Sequence, residues 1–157
     1  MRALLLSLIL AAPLPALADC APGSTVFSCR IGGKVLELCQ QGASLTYAFG
    51  PPGAPELVLS EPLLTVDYQP WPGVGSAVWE SVTFRNGNHG YEVWTRSDRN
   101  FRGLEAGIEV SRGGARLASL GCDPGSASGP LYDRLFPLKE AAGLCWHGAA
   151  GGWSTDC

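Results

Sequence analysis

Few residue types in this 157-residue chain have the chemistry for recognition or catalysis: five tryptophans, two histidines, six cysteines and fourteen carboxylates. Trp79 and Trp94 stand in the alternating runs AVWESVTF and YEVWTR, close to Glu92 and Arg96. Aromatic rings beside an arginine and a carboxylate suit stacking on a sugar or anchoring a protein partner. Trp71, between Pro70 and Pro72, falls in a loop, as do Trp146 and Trp153 in the glycine-rich tail. Catalytic patterns are weaker. A serine-hydrolase elbow needs Gly-x-Ser-x-Gly, and both Gly73-Val74-Gly75-Ser76 and Gly125-Ser126-Ala127-Ser128-Gly129 miss it. His89 and His147 are the only histidine bases, and neither has a nucleophile beside it in sequence. Glu80, Glu92, Glu105 and Glu109 offer carboxylate pairs of the kind glycoside hydrolysis uses, yet nothing local raises any of their pKa values. They read as solvated or ion-paired strand residues, and no catalytic residue is assigned.

The cysteines take their meaning from the N-terminus. MRALLLSLILAAPLPALA, residues 1–18, has a positive start at Arg2, a short apolar run and an Ala-Leu-Ala cleavage pattern, which reads as a signal peptide and gives a mature chain beginning at Asp19. A lipoprotein would carry Gly or Ala before Cys20 rather than Asp19, so no membrane anchor is expected. Export places the protein in the periplasm or outside the cell, where Cys20, Cys29, Cys39, Cys122, Cys145 and Cys157 are most simply a disulfide framework with no free thiol. Cys145, His147, Asp156 and Cys157 match no zinc spacing, and neither metal nor cofactor is expected. A net charge of -3 with scattered arginines argues against nucleic acid or an anionic membrane surface as partner, while a basic partner is tolerated.

Short strands must position these groups, because the chain is rich in Gly and Pro and poor in helix-length patterns. Residues 19–157 are one domain by size. In TVFSCRIGGKVLELC the Gly32-Gly33 pair makes a two-residue hairpin, placing Phe27, Cys29, Ile31, Leu36 and Leu38 on a core face and Cys39 on the other. Cys29 and Cys39 then point apart and are not bonded to each other. SLTYAF, ELVL and LLTVDY are further strands. A second hairpin surrounds the loop Arg85–Gly90: with Phe84 opposite Tyr91 and Val82 opposite Val93, the reverse face carries Trp79 opposite Arg96, Ser81 opposite Trp94 and Thr83 opposite Glu92. A third turns at Gly113-Gly114. The total is about seven or eight strands, a mainly β fold that is a small antiparallel barrel or sandwich. In PLYDRLFPLKEAAGL the apolar residues recur at helical spacing, with Pro137 dividing them into two single-turn pieces. That segment is a natural cover for the Trp79 and Trp94 face, and a Cys145–Cys157 bridge is the most local way to tie the tail.

The runs FSC, KVLELC, LTYAFG, ELVL, VTFRNG, YEVW, GIEV and LGC resemble a set of small exported bacterial proteins of unassigned function and, more distantly, the periplasmic inhibitors of c-type lysozyme. Those inhibitors are small β-barrels that push a Ser-Gly-x-x-Tyr loop into the lysozyme cleft, and Ser128-Gly129-Pro130-Leu131-Tyr132 matches that motif. Ser119-Leu120-Gly121-Cys122 resembles the Ser-His-Gly-Cys core of L,D-transpeptidases, but Leu120 replaces the activating histidine and leaves Cys122 as half of a disulfide. The expectation is an exported, non-enzymatic binding or inhibitor module whose partner is a protein or glycan of the cell envelope. Its candidate site residues are Trp71, Trp79, Glu92, Trp94, Arg96, Ser128 and Tyr132. A cell-envelope hydrolase and a structural envelope protein are the alternatives.

Overall fold

The computed structural model describes residues 20–98, 103–148 and 151–157, so the proposed signal peptide and its cleavage point lie outside the described residues. Alternation of apolar and polar residues builds two antiparallel meanders. The first comprises β1 (Thr25–Ile31), β2 (Lys34–Gln41), β3 (Ser44–Gly50) and β4 (Leu57–Pro62). The second comprises β5 (Asp67–Gln69), β6 (Ala77–Asn86), β7 (His89–Asp98), β8 (Leu104–Arg112) and β9 (Ala115–Gly121). A two-stranded tail, β10 (Cys145–Trp146) with β11 (Trp153–Ser154), follows one helix, α1 (Tyr132–Ala141). The mainly β expectation holds, with two corrections: the described residues form eleven strands rather than seven or eight, and no sheet closes into a barrel.

The two large sheets share one core instead. Phe27, Leu36, Leu38, Leu45 and Tyr47 of the first meet Val82, Phe84, Val93 and Ile108 of the second, and the Tyr47 and Phe84 rings lie 5.4 Å apart. Burying such side chains contributes about 1.5–3 kcal/mol each. The hairpin registers are those read from the pattern: Cys29 lies opposite Leu36, Phe84 opposite Tyr91, and Trp79 opposite Arg96. The six-residue loop expected at 85–90 is shorter, since the ladder runs on through Arg85–Gly90 and Asn86–His89 to a turn at Gly87-Asn88. Gly87 has φ +57°, as Gly32 has φ +60° in the first hairpin, a region costly for any residue with a Cβ. LLTVDY is also corrected: Leu63–Val66 is a turn, and only Asp67–Gln69 is extended.

All six cysteines are paired, as Cys20–Cys39, Cys29–Cys122 and Cys145–Cys157. Cys29 and Cys39 are therefore not partners. Cys29–Cys122 ties β1 to the end of β9 across 93 residues, a link contributing about 4–5 kcal/mol on the chain-entropy account. The segment after Cys122 then runs along the free edge of β1. Side-chain oxygens take the place of a neighbouring strand there: Ser128 Oγ accepts from the Ser28 amide at 2.9 Å, Ser126 Oγ from Arg30 at 3.1 Å, and Asp123 Oδ1 from Gly32 at 3.0 Å. An edge that would otherwise template pairing is thereby satisfied.

Helix α1 is one continuous ten-residue helix, not two pieces, although Pro137 sits inside it. The proline removes one intrahelical bond at a cost of about 3 kcal/mol. Leu131 and Leu135 are fully buried, and Lys139, a further turn along the same stripe, is 1% exposed, so packing outweighs that loss. The Lys139 ammonium donates to the carbonyls of Leu63 at 2.9 Å, Leu64 at 3.5 Å and Val66 at 3.0 Å, and its Nζ lies 5.4 Å from the Trp153 ring centre. The Leu63–Val66 turn thus grips the helix from below. Because Leu131 and Leu135 belong to the core between the sheets, α1 does not cover the Trp79 and Trp94 face, contrary to expectation.

Candidate functional site

The anticipated site residues divide between two places. Trp79, Arg96, Trp94 and Glu92 share the outer face of the second sheet, as the register required. Trp79 is 41% exposed, and Arg96 reaches Glu105 at 3.8 Å. Trp94 is half-buried: its ring lies so close over Gly107 that a Cβ there would come 2.9 Å from Cζ2, and its indole N–H has no partner among the described residues. Glu92 lies between Thr83 and Glu109. Trp94 borders a recess of about 700 Å³ with Leu104, Ala106 and Pro124, in which it is the one aromatic ring among the described residues, and Arg96 and Glu105 border a smaller one of about 210 Å³.

Trp71 and Tyr132 come together elsewhere, at a cleft of about 500 Å³ between the start of β6 and the N-terminal end of α1. Sequence separation hid this meeting. The Trp71 indole donates to the Val74 carbonyl at 3.0 Å, which folds the Pro70–Gly75 loop back and sets its ring at one wall. Tyr132, half-exposed in the first turn of α1, lies 4.7 Å from Phe136 one turn later. Phe136 contacts Trp153 at 5.0 Å and Trp153 contacts Trp146 at 5.3 Å, an aromatic chain that joins the disulfide-tied tail to the helix. Trp153 is itself fixed by stacking on Tyr68 and by donating its N–H to the Tyr68 carbonyl at 2.9 Å.

Glu80 lies at the floor of the cleft, 2% exposed. It occupies the same strand face as Val82 and Phe84, two and four residues on, so its position inside was legible from the alternation that placed those two. Its Oε2 accepts from the Tyr68 hydroxyl at 2.8 Å and its Oε1 from the Thr95 hydroxyl at 3.1 Å, while the Tyr132 backbone N–H donates to the same carboxylate. A carboxylate from the sheet thus caps a helix whose own Leu131 cap residue makes no side-chain bond. Burial raises the Glu80 pKa above the ordinary carboxylate value; the three donors pull it back, and Asp133 nearby pushes it up again. This corrects the expectation that no carboxylate in the set is perturbed. Glu80 also holds the Tyr68 hydroxyl protonated well beyond its usual range, behind burial as the larger cause.

Ser128 is engaged in holding β1, its hydroxyl and amide both bonded to Ser28. Pro130, two residues on, lines the cleft. In the tail, Ser154 Oγ lies 3.1 Å from His147 Nε2, but Ser154 Oγ also accepts from the Asp156 amide, and Cys145 and Cys157 are bonded to each other rather than free to hold a metal. Phe136 and Trp146 are the site residues that pattern reading missed; the Tyr132–Phe136 spacing of four on a helix was the available signal. No known protein family, curated protein or solved structure matches the chain. Fold and site therefore define the class alone: a disulfide-tied antiparallel β protein with an aromatic-walled cleft over a buried carboxylate.

Proposed function

We propose that this is an exported, non-enzymatic binding module of the periplasm or cell envelope, and that its partner, a protein or glycan, seats a projecting group in the cleft between β6 and α1. One observation carries the reading: four aromatic side chains, Trp71, Tyr132, Phe136 and Trp146, line a recess whose carboxylate already has three protein donors. A pocket with apolar walls and a few fixed polar groups is the usual form of a ligand site. A general acid would need Glu80 free to meet substrate, whereas its bonds assign it to holding the helix end. Three disulfides suit an oxidising compartment, in keeping with export.

Tryptophan fluorescence of the oxidised 19–157 chain, titrated with fractionated envelope glycans and peptides, tests this. Binding that Trp71→Ala weakens by about tenfold or more, and Trp79→Ala leaves alone, supports the cleft. The opposite pattern moves the site to the outer sheet face and overturns the reading. The lysozyme-inhibitor version of the proposal draws on half-exposed Tyr132 and requires Ser128 to give up its bonds to Ser28. A c-type lysozyme assay in which an equimolar amount of the chain leaves hydrolysis unchanged removes that version.

A further inference from the structure

The cleft has a charge as well as an aromatic wall. Among the described residues, its lining includes two carboxylates, Glu80 on the floor and Asp133 at the rim, and no lysine, arginine or histidine. Asp133 is exposed in the first turn of α1 and forms no ion pair among the described residues. The neighbouring cation Arg134 is absent from the lining of this cleft; it borders an adjoining recess with Asp133, and its guanidinium donates to the Gly23 carbonyl at 2.9 Å. Two carboxyl groups therefore share one recess with four aromatic side chains.

Rings attract cations through their negative faces. The hydrogen-bonding inventory narrows the cation further. A carboxylate has about four acceptor positions, and three of those on Glu80 are taken, so a primary ammonium with three N–H donors would find too few acceptors on the floor. A quaternary ammonium has no donors to satisfy. We infer that the cleft recognises an organic quaternary ammonium group, with Trp71, Tyr132, Phe136 and Trp146 as the cage and Asp133 as the rim charge. The inference rests on the proposal that this cleft is the ligand site, and it supplies the chemical class of what enters. The protein uses the same contact within itself, where the Lys139 ammonium sits over Trp153, whose ring adjoins both Phe136 and Trp146.

Calorimetric and fluorescence titration of the oxidised chain with choline, its neutral isostere 3,3-dimethylbutan-1-ol, and methylammonium decides the matter. Choline is expected to bind saturably, with the isostere and methylammonium each weaker by about tenfold. Asp133→Asn should weaken choline severalfold and flatten its salt dependence, while Trp71→Ala weakens it by about tenfold. Glycerophosphocholine and a trimethyllysine peptide, run beside choline, assign the carrier by which of them gains affinity over the bare cation. Equal binding of choline and its isostere overturns the cationic inference and leaves the cleft standing as an apolar site. Absence of saturable choline binding overturns the inference too, whatever the envelope titration shows. Loss of choline binding in Trp79→Ala but not Trp71→Ala removes both the inference and the cleft.

Discussion

Raising the pH should make this protein more stable before it makes it less so, because of Lys139. Its ammonium is buried against the Leu63–Val66 turn, and burial lowers its pKa from 10.5 to about 8, with Asp67 partly offsetting the fall. Below that value the lysine is charged in both folded and unfolded chains, and the folded state bears the cost of desolvating it. Between about 8 and 10.5 the folded protein releases the proton while the unfolded chain keeps it, so the unfolded state binds more protons and stability rises with pH. The full difference, 10.5 less 8, is worth at most about 3 kcal/mol, of which about 2 kcal/mol is reached by about pH 9.5. Tyr47 and Tyr68, both raised above 10.0 by burial, take stability away only as pH climbs beyond that value, which leaves a clear window below it. Every described cysteine is paired, so no thiolate is present to reshuffle the disulfides in alkali. Urea unfolding at constant ionic strength from about pH 7 to about pH 9.5 should show the midpoint rising in the natural chain. Lys139→Met should abolish the rise and cost about 1–3 kcal/mol at neutral pH, because the carbonyls of Leu63 and Val66 lose their donor. A midpoint that is flat or falling across this range, or a rise that persists in Lys139→Met, would refute the argument.

Glu80 gives the complementary test at acid pH. Its folded pKa is raised, so its contribution is fully present below the unfolded value of 4.5 and is lost as pH rises through the folded value; natural protein should gain stability relative to Glu80→Gln as pH falls toward 4.5, read by thermal unfolding of both. Gly107→Ala would set a Cβ 2.5 Å from the Leu120 carbonyl oxygen and 2.9 Å from the Trp94 ring, and should cost about 2–3 kcal/mol with a shift in tryptophan emission; an unchanged melting temperature would count against the packing described. Ser126→Ala combined with Ser128→Ala strips two acceptors from the β1 edge, and should cost about 1–2 kcal/mol and raise the aggregation rate seen by light scattering.

Hairpins were the legible part of this fold. Residues 84 and 91, or 31 and 34, are joined by a turn whose glycine fixes the register, and alternation then settles every side chain on both strands. The same reasoning set Cys29 and Cys39 on opposite faces and so excluded their bond. Errors came where two local rules competed. Pro137 looked like a break because its cost is local, whereas the burial of Leu131, Leu135 and Lys139 that keeps the helix whole depends on surfaces far away in sequence.

The amino-acid order by itself determined the hairpin strands, the face on which each of their residues falls and the presence of an even set of cysteines, because each follows from interactions between near neighbours. Tertiary structure alone decided which faces meet. Whether α1 would cover Trp79 and Trp94 or wedge against the core depended on the Glu80 carboxylate receiving the Tyr132 amide and on the Leu63–Val66 carbonyls receiving Lys139, contacts spanning 52 to more than 70 positions in the chain. The cleft follows from that choice. Trp71, Tyr132, Phe136 and Trp146 come from a loop, a helix and a disulfide-tied tail, and no periodicity in a sequence records a meeting made by packing energy between segments so far apart.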